Sequence, residues 1–291
     1  MGRDLAQEFT AAGQLFQQAD DILARSLSHI AWEGPIDELT KTWNCQPALF
    51  VHGLACLAVL REIAGDFPIE AAAGLSLGEL TAHAAGATFD FASGLKLVQK
   101  RGELMEEACA ATAGAMAAMI GADEAAVRQL AADCDVDIAN INAPGQVVIS
   151  GEAAKVELAV SLAREHGIRR ATLLKVAGAY HSRLMNSAYL KLGEELINTP
   201  MQLPRFAIVS NVSGQVVETL PQIHRTLQEQ VTATVRWVDC METLLDRGCD
   251  LFIELGPGGV LAGLLRKIRK DANVITVSDA ASARACAAQL A

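Results

Sequence analysis

The stretch AAAGLSLGEL, residues 71–80, holds a serine between two glycines directly after a short apolar run. Gly74-Leu75-Ser76-Leu77-Gly78 has the G-x-S-x-G spacing that can present a serine hydroxyl as a nucleophile on a sharp strand-to-helix elbow. In a chain rich in Gly and Ala the same spacing also arises as an ordinary turn. A helix following the elbow would point its positive end at Ser76 and offer the Leu77 N–H as an oxyanion donor. A serine nucleophile needs a base, most often histidine. His83 lies two turns along the same helix and reads as a partly buried helix histidine, while His29, His166 and His224 sit in helix-end or loop contexts and read as solvated. His181, in VAGAYHSRLM, stands after Gly178 at the end of an apolar run and just before a helix. In a parallel sheet that carboxyl end is where catalytic groups gather, which makes His181 the candidate base.

These residues need a scaffold of alternating strands and helices. The first seventy residues read as helices near 2–28, 35–45 and 48–65, broken at Gly34 and Pro47, with no opening strand. A buried strand from Ile69 leads into the elbow, followed by a short helix and a longer one from Phe91. From Gly114 the order is β-α-β-β-α-β: AMAAMI, a helix opened by Asp123, VDIANIN, GQVVISG, a helix from Glu152, and RRATLLKV. That is a ferredoxin-like unit, expected as an insertion (residues 113–179) in a larger α/β domain (residues 1–112 and 180–291). The larger domain resumes with a helix near 182–196, strand FAIVSN, helices 221–230 and 238–248, strand DLFIELG, a helix after GPGG, strand NVITV and a terminal helix. Such alternation predicts a parallel-sheet core.

Composition excludes several classes. The 291 residues are 51% apolar and 20% charged, a globular balance, and the net charge of −10 argues against a nucleic-acid surface. The apolar run from Ala48 to Leu60 is interrupted by His52 and is too short to span a bilayer, so a soluble protein is expected, with no membrane partner. Seven scattered cysteines with no C-x-x-C pair indicate neither a disulfide framework nor a zinc site, and fit a reducing cytoplasm. Nothing at the start reads as an export signal.

Eight strings occur in order: GLSLGE, VQKRGELMEEA, GAMAAMIG, NINAPGQVVISG, GAYHSRLM, SNVSG, VTATVRW and IELGPGGVLAGLLRK. Together they resemble the malonyl-CoA:acyl carrier protein transacylases of fatty acid synthesis and the acyltransferase domains of polyketide synthases, up to about residue 270. The resemblance implies an α/β-hydrolase-like parallel-sheet core with the inserted ferredoxin-like subdomain. It also implies ping-pong transfer of malonyl from malonyl-CoA to a serine and on to the phosphopantetheine thiol of acyl carrier protein. No metal or other cofactor is implied, and a monomer is expected. Carried over by position, Ser76 is the nucleophile and His181 its base, oriented by the main-chain carbonyl of Gln230. Arg101 matches the arginine that pairs with the malonyl carboxylate, a group that a planar guanidinium reads bidentately. Its alternative is a surface arginine bridged to Glu106 or Glu107. Asn211 matches an asparagine near the active site, or else has a strand-end structural role. Arg266 and Lys267 match positions that meet the carrier protein, although cations also suit a helix C-terminus.

The chain departs from the family pattern in Leu75, where histidine is frequent, and in Arg183, where proline is frequent. Family members also open with a strand and an F-P-G-Q-G-x-Q loop whose glutamine helps form the oxyanion hole, before a stretch like the MGRDL found here. The expectation is that Met1 is internal to the natural gene product. Two other readings compete with the transferase: a catalytically weak carrier-protein-binding module, and a serine esterase, which would require a triad acid and freer access of water.

Overall fold

The structure, a computed structural model, describes residues 1–290. Two compact units divide the chain. The first comprises Met1–Gly102, Thr199–Ile208 and the residues from Leu245 onward, and the second comprises Glu103–Asn198 and Val209–Leu244.

The first unit opens with five helices: α1 (Arg3–Glu8), α2 (Thr10–Leu23), α3 (Leu27–Glu33), α4 (Ile36–Leu39) and α5 (Thr42–Ala64). Extended Phe9 and left-handed Ala24 break the first predicted segment into shorter pieces. The expected break at Pro47 does not occur, and Pro47 lies inside α5. A helical proline leaves the carbonyl four residues back without its donor. Here that carbonyl, on Trp43, accepts from Nη2 of Arg25 at 3.1 Å, which supplies the missing donor. By length and composition α5 is long and apolar enough to cross a membrane, longer than the run from Ala48 to Leu60 suggested. It is instead mostly buried, with Phe50, Val51, Ala55 and Val59 fully enclosed among α2, α6 (Leu77–Ala85) and α14 (Ala280–Leu290).

Two parallel strand pairs lie in this unit: β1 (Ala71–Ala72) with β6 (Ala207–Ile208), and β7 (Leu251–Leu255) with β8 (Asn273–Val277). The strand expected from Ile69 contracts to two residues, after which the chain turns into the elbow at Gly74. Between β7 and α13 (Val260–Ile268), the Glu254 carboxylate accepts from the N–H groups of Leu261 and Ala262 at 3.0 and 2.9 Å, capping the helix start.

His83 on α6 is more deeply enclosed than expected. It is fully buried, with Nδ1 2.9 Å from the Thr88 hydroxyl. Burial pushes its pKa down to about 3. The unfolded chain therefore takes up a proton near an ordinary histidine pKa that the folded chain refuses. The stabilisation is complete above about pH 6.5 and is lost as pH falls toward 3, at about 1.4 kcal/mol per pH unit from this group. Denaturant titrations between about pH 5.5 and 4 are expected to show a pH dependence of stability shallower by about that amount in His83→Gln. Equal slopes in the two proteins would contradict the assignment.

The second unit is built on a four-stranded sheet. Its elements are β2 (Gly114–Ile120), α8 (Glu124–Asp133), β3 (Asp137–Ala143), β4 (Gln146–Glu152), α9 (Ala153–Leu162) and β5 (Arg170–Leu173). The strands lie in the order β3-β4-β2-β5 and every pair is antiparallel, the ferredoxin-like arrangement. Asp123 caps α8 by accepting from the Ala126 N–H at 2.8 Å. Alternation along β4 sends Val147 and Ile149 into a core with Val127, Leu130 and Val156, while Val148 faces Met116 and Ala139 on the other side. The outer edge of β3 is covered by Val235, whose N–H donates to Ala139 and whose carbonyl accepts from Ile141. The helix expected from Ser182 starts as a 3-10 turn (Arg183–Met185), because the Ser182 hydroxyl takes the Leu184 N–H, and continues as α10 (Asn186–Asn198). Next comes α11 (Leu220–Glu229), opened by a capping box of Thr219 and Gln222, and α12 (Trp237–Asp246) follows it. Parallel strand pairs alongside this antiparallel sheet make the chain the mixed α/β protein that the sequence predicts.

Candidate active site

In the first unit, Ser76 stands between β1 and α6 with φ 53° and ψ −107°. A positive φ in a residue with a Cβ costs on the order of 1 kcal/mol or more and persists only where the surroundings impose it. Gly74 shows how they do. A Cβ there would fall 2.0 Å from the Gly78 carbonyl group, so the turn closes this tightly only with glycine at 74. The elbow leaves Ser76 half-buried, with the Leu77 N–H at the first position of α6.

Arg101, on α7 (Phe91–Ala110), is 1% exposed, so it is not a surface arginine. Glu107, one of the partners considered for it, bridges Lys191 at 2.7 Å. Nη2 of Arg101 donates to the Ser76 hydroxyl oxygen at 3.0 Å, and Nη1 donates to Oε1 of Gln46 at 2.6 Å. These two bonds, both to neutral acceptors, orient the guanidinium. Gln46 is a residue that sequence reasoning missed. Its only signal is a polar amide at the head of the apolar stretch QPALFV, where the structure buries it at 8% exposure.

In the second unit, His181 is 4% exposed and also has a positive φ, 55°. Its Nδ1 lies 2.8 Å from the main-chain oxygen of Gln230. A carbonyl only accepts, so Nδ1 carries the proton and Nε2 keeps the lone pair that a general base needs. Gln230 is the C-cap of α11, where helix carbonyls lack partners of their own, and the negative end of the helix favours a charged imidazolium. Asn211 is fully buried, and its main-chain carbonyl accepts from the main-chain N–H of Arg236 at 2.9 Å. Arg266 and Lys267 are exposed in the last turn of α13, where the helix dipole already suits cations. No cluster of metal-ligating side chains exists among the described residues.

Each unit therefore carries half of an acyl-transfer chemistry: a serine beside a fixed cation in one, an oriented imidazole in the other. The family model for the acyl transferase domain matches residues 1–286. The chain belongs to the acyl transferase domain family. As a member, it is 41% identical over 286 residues to the malonyl CoA-acyl carrier protein transacylase of Bacillus subtilis, covering 96% of this chain and 89% of that one. Among solved structures, it is similar to the acyl-carrier-protein-S-malonyltransferase of Bartonella henselae, with a TM-score of 0.96, 38% identity, and coverage of 100% of this chain and 94% of that one. It is also similar to a malonyl-transacylase solved in complex with its type II polyketide synthase acyl-carrier protein, with a TM-score of 0.95, 35% identity, and coverage of 99% and 94%. In this acyl transferase domain the serine is strained, the arginine buried and the histidine bound to a main-chain carbonyl.

Proposed function

We propose that this acyltransferase moves a malonyl group from malonyl-CoA to the phosphopantetheine thiol of an acyl carrier protein, in fatty acid or polyketide assembly. The observation that carries the reading is Arg101, a buried cation whose Nη2 lies 3.0 Å from the Ser76 hydroxyl. A fixed guanidinium beside the nucleophile suits an acyl group that ends in a carboxylate. The relatives' names and the carrier-protein complex of a similar enzyme support the same substrate and acceptor.

In the proposed first half-reaction, Ser76 Oγ attacks the thioester carbonyl as Nε2 of His181 takes its proton. The Leu77 N–H stabilises the tetrahedral oxyanion. Collapse of that intermediate breaks the C–S bond, and CoA leaves as a thiol with the proton from the imidazolium. In the second half, His181 deprotonates the carrier thiol, the sulfur attacks the malonyl ester, and the proton returns to Ser76 as its oxygen leaves. Gln230 holds the tautomer, and Arg101 holds the malonyl carboxylate through both halves. Asn211 supports the site, while Arg266 and Lys267 offer the carrier a cationic contact. We take residues 113–179 as an inserted subdomain within the domain formed by 1–112 and 180–291, and the enzyme as a cytoplasmic monomer.

The test incubates the purified chain with malonyl-CoA or acetyl-CoA and a holo acyl carrier protein and reads intact masses. Malonyl-carrier should form and acetyl-carrier should lag by at least about a hundredfold. Equal rates, or no transfer from a folded chain, would overturn the proposal.

A further inference from the structure

We infer that Arg183 and Asp137 form a clamp that positions His181 for the transfer reaction. This rests on His181 being the base, as proposed above.

The left-handed backbone of His181 must be held from both sides. On the N-terminal side, Gly178 lies so close to Cys109 that a Cβ would fall 2.4 Å from its sulfur, and a Cβ on Gly114 would fall 2.7 Å from Ala179. On the C-terminal side, the Ser182 hydroxyl donates to the Ala179 carbonyl at 2.6 Å, and Arg183 is gripped twice by one carboxylate. Its main-chain N–H donates to Oδ2 of Asp137 at 2.8 Å. Its guanidinium donates from Nε to both Asp137 oxygens at 3.1 Å and from Nη2 to Oδ1 at 2.8 Å. A fourth arm, Nη1, reaches Asp135 at 2.6 Å, and Asp135 is itself tied to Lys155 at 2.8 Å.

Asp137 opens β3, and the same strand holds the chain that follows Gln230. The Thr234 hydroxyl donates to the Ile138 carbonyl at 2.7 Å, and Val235 exchanges main-chain bonds with Ala139 and Ile141. One strand thus anchors both partners of the 2.8 Å bond from His181 to Gln230, through Arg183 on one side and through 234–235 on the other. Arg183 is half-exposed, so its ion pairs add little to stability. Their effect falls on where the imidazole sits, and small displacements of a catalytic group cost rate steeply.

The experiment measures malonyl transfer to a holo acyl carrier protein, with melting temperatures and the low-field proton resonance of the His181 Nδ1–H bond. Arg183→Ala, which keeps the main-chain bond, is expected to lower kcat about fivefold, and Asp137→Ala, which removes both grips, about fiftyfold. KM for malonyl-CoA should stay within about twofold, the melting temperature should change little, and the Nδ1–H resonance should shift or broaden. Arg183→Lys, lacking the fork, should restore only part of the loss. Arg128→Ala, which breaks an exposed pair with Glu124 in the same unit, serves as the control with unchanged kcat. Wild-type kcat in both clamp variants, or losses matched by an equal loss of folded protein, would overturn the inference. A His181→Ala protein that transfers at the wild-type rate would instead overturn the assignment of the base.

Discussion

Ser76→Ala is expected to fold, to bind malonyl-CoA, and to lose the covalent malonyl adduct entirely, with transfer to the carrier falling on the order of 10⁴- to 10⁶-fold. The alanine occupies the same strained elbow, since Gly74 packed against Gly78 imposes the turn whatever side chain stands at 76. What disappears is the oxygen that accepts from Arg101 at 3.0 Å and would become the ester oxygen. Residual rate from binding and oxyanion stabilisation does not substitute for it, because the two half-reactions share no other covalent carrier. Intact mass after brief exposure to malonyl-CoA decides the matter. An adduct persisting in Ser76→Ala would place the nucleophile on another residue.

Arg101→Ala is the second large effect, and it is a change of selectivity. The guanidinium is 1% exposed and held by Gln46 at 2.6 Å, so its geometry is set before any ligand arrives. An acetyl group in place of malonyl brings no carboxylate to meet it, and a buried charge facing an apolar methyl is penalised by several kcal/mol. Removing the arginine is expected to lower kcat/KM for malonyl-CoA by about 10²- to 10⁴-fold while changing that for acetyl-CoA by less than about tenfold. Arg101→Lys should recover little, because an ammonium lacks the fork and does not span both Gln46 and the ligand. Paired measurements with the two thioesters check this. Equal losses for both would assign Arg101 to holding the elbow rather than to choosing the acyl group.

Much of the architecture was legible because local signals and tertiary context agree. Asp123 caps α8 as its position before an amphipathic run suggests, and the alternation of Val147, Val148 and Ile149 matches a sheet with helices on one face. Where the reading failed, a distant side chain had changed the local rule. Pro47 would end a helix in isolation, but Arg25, far upstream in sequence, donates to the orphaned carbonyl of Trp43. The same holds at the candidate site. The Ser76 elbow is visible in five consecutive residues, whereas the placement of His181 at the carboxyl end of a parallel strand is not met: β5 ends at Leu173 and pairs antiparallel. Arg101 is indistinguishable from a surface arginine, because the fold rather than its neighbours on α7 buries it, and Gln46 carries no chemical signature until the guanidinium is seen against it.

The acceptor for His181 is a main-chain oxygen at the end of α11, and every amino acid supplies one. No codon change at 230 can delete it, in contrast to an aspartate, which a single base substitution can turn into asparagine. Any replacement side chain there has to fit an enclosed space. What the site depends on is arithmetic: each residue added to or removed from α11 turns its final carbonyl by about 100°. The vulnerability of this histidine is therefore shifted from the identity of a residue to the count of residues in a helix, and insertions and deletions between Leu220 and Glu229 are the lesions to which the gene is exposed.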